Sequence, residues 1–363
     1  MSISYWESTV FYEPYDYLIV GGGITGCSLA MELKKKSPSA HIAILEKDFY
    51  PTGASSRNAG FACFGSVSEL LDDLNTVDES ELKRLIKSRF DGLNLLKDTV
   101  PTDVMGFSMC GGHELFTDKQ HYEQCVESIP MFNRWLKEIA NLDSTYKAVE
   151  INGYPAIFNK YEGYLHSGKL VRWLHQHIRD IGVELRWSCN VQTAHQDRVS
   201  LLTGHEINAK NVILATNGFT DNILNDVRIK PARGYVFVTN ELQNNRWNGT
   251  WHYDKGYIYF RNVGNRLLLG GGRNVDFDGE CTTEDKINPM VKAYLIQFVR
   301  DVLKIEDNWT IDYEWTGIMG FGQSKTPSIS KNDSGVWVAA GLGGMGVALG
   351  MQFGKDAANI ITQ

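Results

Sequence analysis

Three glycines and one acid near the N-terminus are the first residues whose spacing suggests chemistry. In DYLIVGGGITGCSLA, Gly21, Gly23 and Gly26 stand in G-x-G-x-x-G spacing, behind an apolar run from Tyr17 to Val20 and ahead of the helical stretch CSLAMELKKK. A strand, a glycine turn and a helix in that order suit a dinucleotide. The first glycine permits the tight turn, the second lets the backbone approach a pyrophosphate, and the third lets the helix pack closely on the strand. The helix N-terminus then offers N–H groups and a positive dipole end to the phosphates. A second strand, HIAILEK, runs into Glu46, where a carboxylate can accept from ribose hydroxyls. The plainer reading is a tight turn in an ordinary α/β domain, with Glu46 as a solvated strand end. The coincidence of strand, loop, helix, second strand and acid favours the nucleotide, and leaves NAD and FAD both open.

The far end of the chain repeats the theme. In AAGLGGMGVALG a strand runs into Gly341, Gly343, Gly344 and Gly346, directly ahead of a helix expected to start near Val347. A nicotinamide site is usually built within one contiguous domain, whereas here nucleotide-type features stand at both ends.

The elements between must bring those ends together. GASSRNAGFACFGS reads as a loop with little regular structure. ESELKRLIKSRFDGLNLLKDTV spaces Leu82, Leu85, Ile86, Phe90 and Leu93 at helical intervals, and EQCVESIPMFNRWLKEIA does the same with a proline interruption. GFSMCGGHELFT resembles a short hairpin with a Gly-Gly turn. A helix and strands over GKLVRWLHQHIRDIGVELRWSCNV and EINAKNVILATNG return to the nucleotide domain. RIKPARGYVFVTNEL, KGYIYFRNVGNRLLLGG and WTIDYEW are rich in aromatic and branched residues and predict a second, largely antiparallel lobe.

Composition narrows the function classes. A chain of 363 residues can bury a core and form two lobes, and a net charge of -7 gives no support to a nucleic-acid surface. Six cysteines are scattered without a C-x-x-C pair, so neither a disulfide framework nor a metal site is expected. The N-terminal stretch lacks the pattern of a secretory signal and no apolar run is long enough to cross a bilayer, so a cytoplasmic protein is expected.

Taken together, GGGITG with Glu46, GASSRNAG, ATNG, PARGYVFVT, YIYFRNVGNRLLLGGG, EWTG and AAGLGGMGVALG resemble, in order and over nearly the whole chain, the FAD-dependent oxidoreductases of the D-amino-acid oxidase type. That family includes glycine oxidase, sarcosine oxidase and γ-glutamylputrescine oxidoreductase. The resemblance implies an α/β fold: a Rossmann-like FAD-binding domain of the glutathione-reductase type over 1–75, 160–225 and 326–363, and an α+β substrate domain over 76–159 and 226–325. It implies that Gly21, Gly23, Ile24, Thr25 and Gly26 cradle the pyrophosphate, that Glu46 binds the ribose and that Lys47 lies beside it. Ser55, Ser56, Arg57, Asn58, Ala59 and Gly60 would pass under the phosphates. Val191 would meet adenine by its backbone, with Ala215, Thr216 and Gly218 packed near that end. Gly343, Gly344, Met345, Gly346 and Val347 would meet the flavin pyrimidine, where a helix N-terminus favours the negative charge of the reduced ring.

The implied reaction is oxidation of the C–N bond of a small amine or amino acid by hydride transfer to flavin N5, giving an imine that hydrolyses. Oxygen or another acceptor would reoxidise the flavin. The strand GYIYFRN puts Tyr257, Tyr259 and Arg261 on one face, and Tyr259 falls where amino-acid-oxidising relatives place a substrate-facing tyrosine. Those relatives carry an arginine shortly after W-x-G to grip the substrate carboxylate. Here EWTGIMG puts Ile318 and Met319 in that vicinity. Either Arg261, Arg273 or Lys325 substitutes, or the substrate lacks an α-carboxylate. The same stretch has no cysteine, so FAD is expected to be non-covalent. Two alternatives remain: a non-catalytic FAD-binding subunit of a larger complex, and a tRNA-modifying oxidoreductase, since the FAD half of one such bifunctional enzyme belongs to the family.

Overall fold

A computed structural model describes residues 4–224, 228–305 and 308–363. The chain divides into two compact units, one formed by 1–56, 168–232 and 318–363, the other by 57–167 and 233–317. The first crossing therefore falls at 56/57, where the sequence reading places it at 75/76. The reason lies in the segment after Ser56: Phe61–Ala62 pairs antiparallel with Gly163–Tyr164, and Glu114 accepts hydrogen bonds from the hydroxyls of Ser66 and Ser68.

In the first unit, among the described residues, six strands form a sheet in the order Ser328–Lys331, Trp337–Ala340, Val212–Leu214, Tyr17–Val20, Ile42–Leu45, Glu184–Arg186. All neighbours are parallel except the Ser328–Lys331 edge. The central strands YLIV, IAIL and VIL are almost wholly buried, as uninterrupted apolar runs require when a parallel sheet is covered on both faces. Tyr17–Val20 sits at the centre, with Ile19 in register with both Ile213 and Ile44.

Two helices of this unit meet through small residues. A Cβ on Gly350 would stand 2.8 Å from Ile24 Cγ2, and one on Gly354 would stand 2.6 Å from Thr25 O. Ser28 Oγ donates to Met351 O at 2.6 Å. Gly350 and Gly354 thus let the C-terminal helix Gly346–Ile361 lie directly against Ile24–Lys36, and so bring the two ends of the chain together.

In the second unit, eight described strands form a mostly antiparallel sheet: Ile311–Phe321, Lys230–Thr239, Arg266–Gly271, Ile258–Val263, Thr250–Tyr253, Gly112–Leu115, Tyr154–Asn159 and Tyr146–Ile151. Leu269, Phe260, Trp251 and Phe237 on one face join Val291, Leu295 and Phe298 in an apolar core. The other face carries a polar row, because Glu114, His252 and Tyr259 lie directly opposite one another across adjacent strands.

Two local expectations are corrected here. GFSMCGGHELFT forms no hairpin: Gly112–Leu115 is a single strand held between Tyr154–Asn159 and the parallel Thr250–Tyr253, while Ser108 bridges to Tyr164. Non-local pairing outweighs the Gly-Gly turn. The helix Lys119–Ala140 runs unbroken through Pro130. Asp118 caps its start by accepting from His121 N, Asn141 ends it in the left-handed region, and Ile129, Phe132, Trp135 and Leu136 bury its apolar side. GASSRNAGFACFGS also has more structure than a plain loop, with a helical turn at Ala54–Arg57 followed by Phe61–Ala62.

Candidate active site

The glycine turn of the first unit is built by backbone contacts that tolerate no side chain. Gly21 has φ +109° and would place a Cβ 2.7 Å from Ala215 O, and a Cβ on Gly26 would stand 2.0 Å from Gly21 O. The turn is therefore clamped between its own helix and the ATNG segment. Gly23 is the N-cap of Ile24–Lys36 and Met345 that of Gly346–Ile361, and neither residue supplies a side-chain cap to the helix it opens. The long helices of the second unit, by contrast, begin at Asp78, Asp118 and Asn288, each accepting from a first-turn N–H. Neither start is closed by a side chain of its own N-cap residue, so apart from Ile24 N each can present first-turn N–H groups to a ligand. Ser55 Oγ accepts from Ile24 N at 3.0 Å, which fixes the serine loop against the first of them.

Glu46 is buried at the end of its strand, with Oε2 accepting from Gly22 N at 3.1 Å and Oε1 from Lys47 N at 3.0 Å. Burial raises its carboxyl above the ordinary glutamate range, against the pull of those two N–H groups. The ammonium of Lys47 lies 4.0 Å from the centre of the Phe219 ring. Val191 is buried in the sheet core beside Leu201 and Val212, and the Thr216 and Thr220 hydroxyls pair at 3.0 Å.

Two supporting groups, His175 and Asn217, escaped the sequence reading. His175 Nε2 lies 2.6 Å from Gly22 O and braces the glycine turn from below. Asn217, at φ +46°, accepts from Gly341 N at 3.0 Å and Leu342 N at 3.3 Å, tying ATNG to the C-terminal glycine loop. Gly218 lets this loop sit against Met319, since a Cβ there would be 2.3 Å from Met319 O. The positive φ at Asn217, inside A-T-N-G, is the one signal that could have been found in advance, because asparagine tolerates that region better than most residues.

Met319 belongs to the same unit as the C-terminal glycine loop, and its Sδ would be 3.9 Å from a Cβ on Gly344. The helix expected near Val347 starts one residue earlier, at Gly346.

The remaining predicted residues lie in the second unit. Arg57 pairs with Asp285 at 2.7 Å and donates to Thr316 O at 2.9 Å. Asn58 Oδ1 accepts from Gly60 N at 2.8 Å and from Ser167 Oγ at 2.7 Å. Ala59 packs with Val236, Val238 and Leu268 in a small cluster that includes Phe61, Tyr259 and Trp315. The Tyr259 ring packs on Gly270, where a Cβ would be 2.6 Å from its Cε2, and burial pushes its phenol up to about 12. Arg261 is buried. Its Nε donates to Ala59 O at 2.7 Å, and the two terminal nitrogens reach Asn262 O at 3.1 Å and Leu165 O at 3.4 Å. Its guanidinium also sits 4.8 Å from the Tyr164 ring centre, and desolvation pulls it down to about 10. Arg273 lies against the rings of Phe277 and Tyr257.

A clamped glycine turn, two helix starts with first-turn N–H groups to offer and a buried carboxylate fit a dinucleotide. The family described as DAO, FAD dependent oxidoreductase, matches residues 16–360. The chain belongs to this family. γ-Glutamylputrescine oxidoreductase of Escherichia coli (strain K12) is 24% identical over 98% of this chain and 88% of its own length. Among solved structures, iminodiacetate oxidase from Chelativorans sp. BNC1 superposes with a TM-score of 0.74 at 18% identity, covering 95% of each chain. Glycine oxidase from Geobacillus kaustophilus gives 0.73 at 19% identity, covering 96% of this chain and 95% of the other. The protein is thus an FAD-dependent oxidoreductase. Among the described residues no helix is long and apolar enough to cross a membrane.

Proposed function

We propose that the chain oxidises a small amine that carries no α-carboxylate, such as a secondary or polyamine-like amine, at non-covalently bound FAD. The observation that carries this reading is made in each unit separately: Met319 in the first, and in the second an Arg261 already bound to backbone carbonyls. A thioether stands where the resemblance calls for a carboxylate-binding arginine. The obvious substitute already spends Nε and both terminal nitrogens on backbone carbonyls. With three of its five N–H groups so held, the guanidinium is a poorer bidentate partner for a carboxylate than a free arginine.

In this reading Gly21, Gly23, Ile24, Thr25 and Gly26 hold the pyrophosphate on the start of their helix, and Glu46 accepts from the ribose. Val191, Ala215, Thr216 and Gly218 support the adenine end. Gly343 to Val347 present a positive helix end to the flavin pyrimidine, and Ser55 to Gly60 complete the cradle. Bound FAD supplies hydride acceptance from the carbon next to the amine nitrogen. Tyr259 contributes a phenol that stays protonated at neutral pH. Its hydroxyl makes no hydrogen bond among the described residues, which leaves it free to orient a neutral amine. Apolar Leu268, directly across from Arg261 in the sheet, stands in the strand where sarcosine oxidase carries an oxygen-assisting lysine, which favours an acceptor other than oxygen.

The test is an anaerobic visible spectrum of the purified holoprotein against a panel of amines and amino acids. Bleaching of the oxidised-flavin band by amines lacking a carboxylate, with slow or no bleaching by their amino-acid counterparts, is the expected result. Bleaching confined to α-amino acids overturns the substrate class, and a yellow protein that no amine reduces moves the reading to a non-catalytic subunit.

A further inference from the structure

The polar face of the second unit's sheet holds a group of side chains that the amine reading does not use. Cys63, Glu162 and His252 come from three distant segments: the end of Phe61–Ala62, the turn before Gly163–Tyr164, and the sheet strand Thr250–Tyr253. Their ligand atoms all lie within 4.8 Å of one another, and all three residues are buried. His252 Nε2 is 2.5 Å from Glu162 Oε1. The backbone makes room for the carboxylate, since a Cβ on Gly112 would stand 2.3 Å from the Glu162 carboxyl carbon. Directly across from Gly112, Asn159 keeps a buried Nδ2 without a partner.

We propose that Cys63, Glu162 and His252 bind one divalent zinc-class cation. A thiolate, an imidazole and a carboxylate are the three donor types zinc takes. Tetrahedral bonds of about 2.0–2.3 Å place such donors roughly 3.3–3.8 Å apart, so the group needs only a small rearrangement to close on an ion. Charge supports the assignment: a thiolate and a carboxylate balance a dication, leaving no net charge in a buried site, with the thiol proton released to solvent. A hydrogen-bonded His252–Glu162 pair is the simpler account of two of the residues. It leaves the buried Cys63 thiol with no hydrogen bond among the described residues.

The three side chains would leave the fourth tetrahedral position to a water molecule. The ion would fasten the short Phe61–Ala62 ladder to the main sheet and so fix Phe61, whose ring meets His252 edge-on at 5.3 Å and Tyr259 at 5.6 Å.

The experiment is elemental analysis of tag-free holoprotein isolated without chelator, followed by cobalt titration of the chelator-stripped protein. The expected result is one zinc per chain, and on cobalt addition a near-ultraviolet thiolate-to-cobalt charge-transfer band. Both are lost in Cys63→Ser and kept in Cys281→Ser, which alters an exposed cysteine elsewhere. Zinc at background, or cobalt bound without a thiolate band, overturns the proposal. Because a buried substitution can unfold the unit, Cys63→Ala is read beside Cys63→Ser with a thermal melt of each, and a thiolate band that persists in a folded variant also overturns the proposal.

Discussion

Glu46→Ala is the sharpest test of how the first unit holds its cofactor. In the ligand-free protein the carboxylate accepts from Gly22 N and Lys47 N, and its burial disfavours the charge. Removing it therefore relieves a desolvated anion while leaving two N–H groups for water to satisfy, and the melting temperature of the apoprotein should change little. In the holoprotein the same carboxylate would also take the two ribose hydroxyls. At about 1.5 kcal/mol or more for each charge-assisted bond, the loss is about 3 kcal/mol. At 1.4 kcal/mol per decade that corresponds to an FAD Kd weakened about 100-fold. The assay is titration of apoprotein with FAD, followed by quenching of flavin fluorescence, with a thermal melt of the same sample. A Kd indistinguishable from wild type refutes the ribose assignment. Should the alanine variant melt early, Glu46→Gln keeps the volume and one acceptor, and it should still weaken FAD measurably.

The same carboxyl sets a pH dependence. Its folded pKa is raised, so FAD retention should fall on acidification from a higher pH than an ordinary glutamate would give. The contribution of Glu46 to apoprotein stability, taken as the difference from Glu46→Gln, should be greatest below the unfolded pKa and decline as pH rises through the folded one, as read by melts across pH, with FAD retention followed by fluorescence titration. Gly354→Ala would drive a methyl to 2.6 Å from Thr25 O, forcing the two glycine-led helices apart at a cost of about 1–3 kcal/mol, seen as a lower denaturant midpoint. Arg261→Met should leave the Ala59 and Leu165 carbonyls unpaired and cost about 1–3 kcal/mol of stability, with KM for a carboxylate-free amine unchanged; a raised KM would return Arg261 to substrate binding. Met319→Arg should confer flavin reduction by α-amino acids in the anaerobic assay, and its failure to do so would place the carboxylate-binding position elsewhere.

Much of the nucleotide half was legible because its signals are local. Gly21, Gly23 and Gly26 sit within one strand–turn–helix, and each does a job that a short window shows. The C-terminal glycines are also local, but their meaning comes from Gly350 and Gly354 laying one helix on the other. A GxxxG recurrence with no visible partner in the sequence does not say which helix it meets. His175 was hidden for a similar reason, since it reaches Gly22 O from a helix far along the chain.

The second unit was legible in its strands and not in their neighbours. Gly111 and Gly112 suggest a turn to any local rule, yet Gly112–Leu115 pairs with strands on either side that begin well downstream. That pairing produces the row Glu114, His252, Tyr259, joining residues that no spacing pattern links. It also decides the reading of Arg261. In the sequence its alternation with Tyr259 makes it a substrate ligand, because alternation reports a shared face and nothing of what covers that face. In the fold the guanidinium donates to the Ala59, Asn262 and Leu165 carbonyls, while the phenol beside it makes no hydrogen bond among the described residues. In the proposed function two residues on one face of one strand thus divide the work: the cation holds the GASSRNAG loop in place through Ala59 O, and the neutral phenol is left to meet a neutral amine.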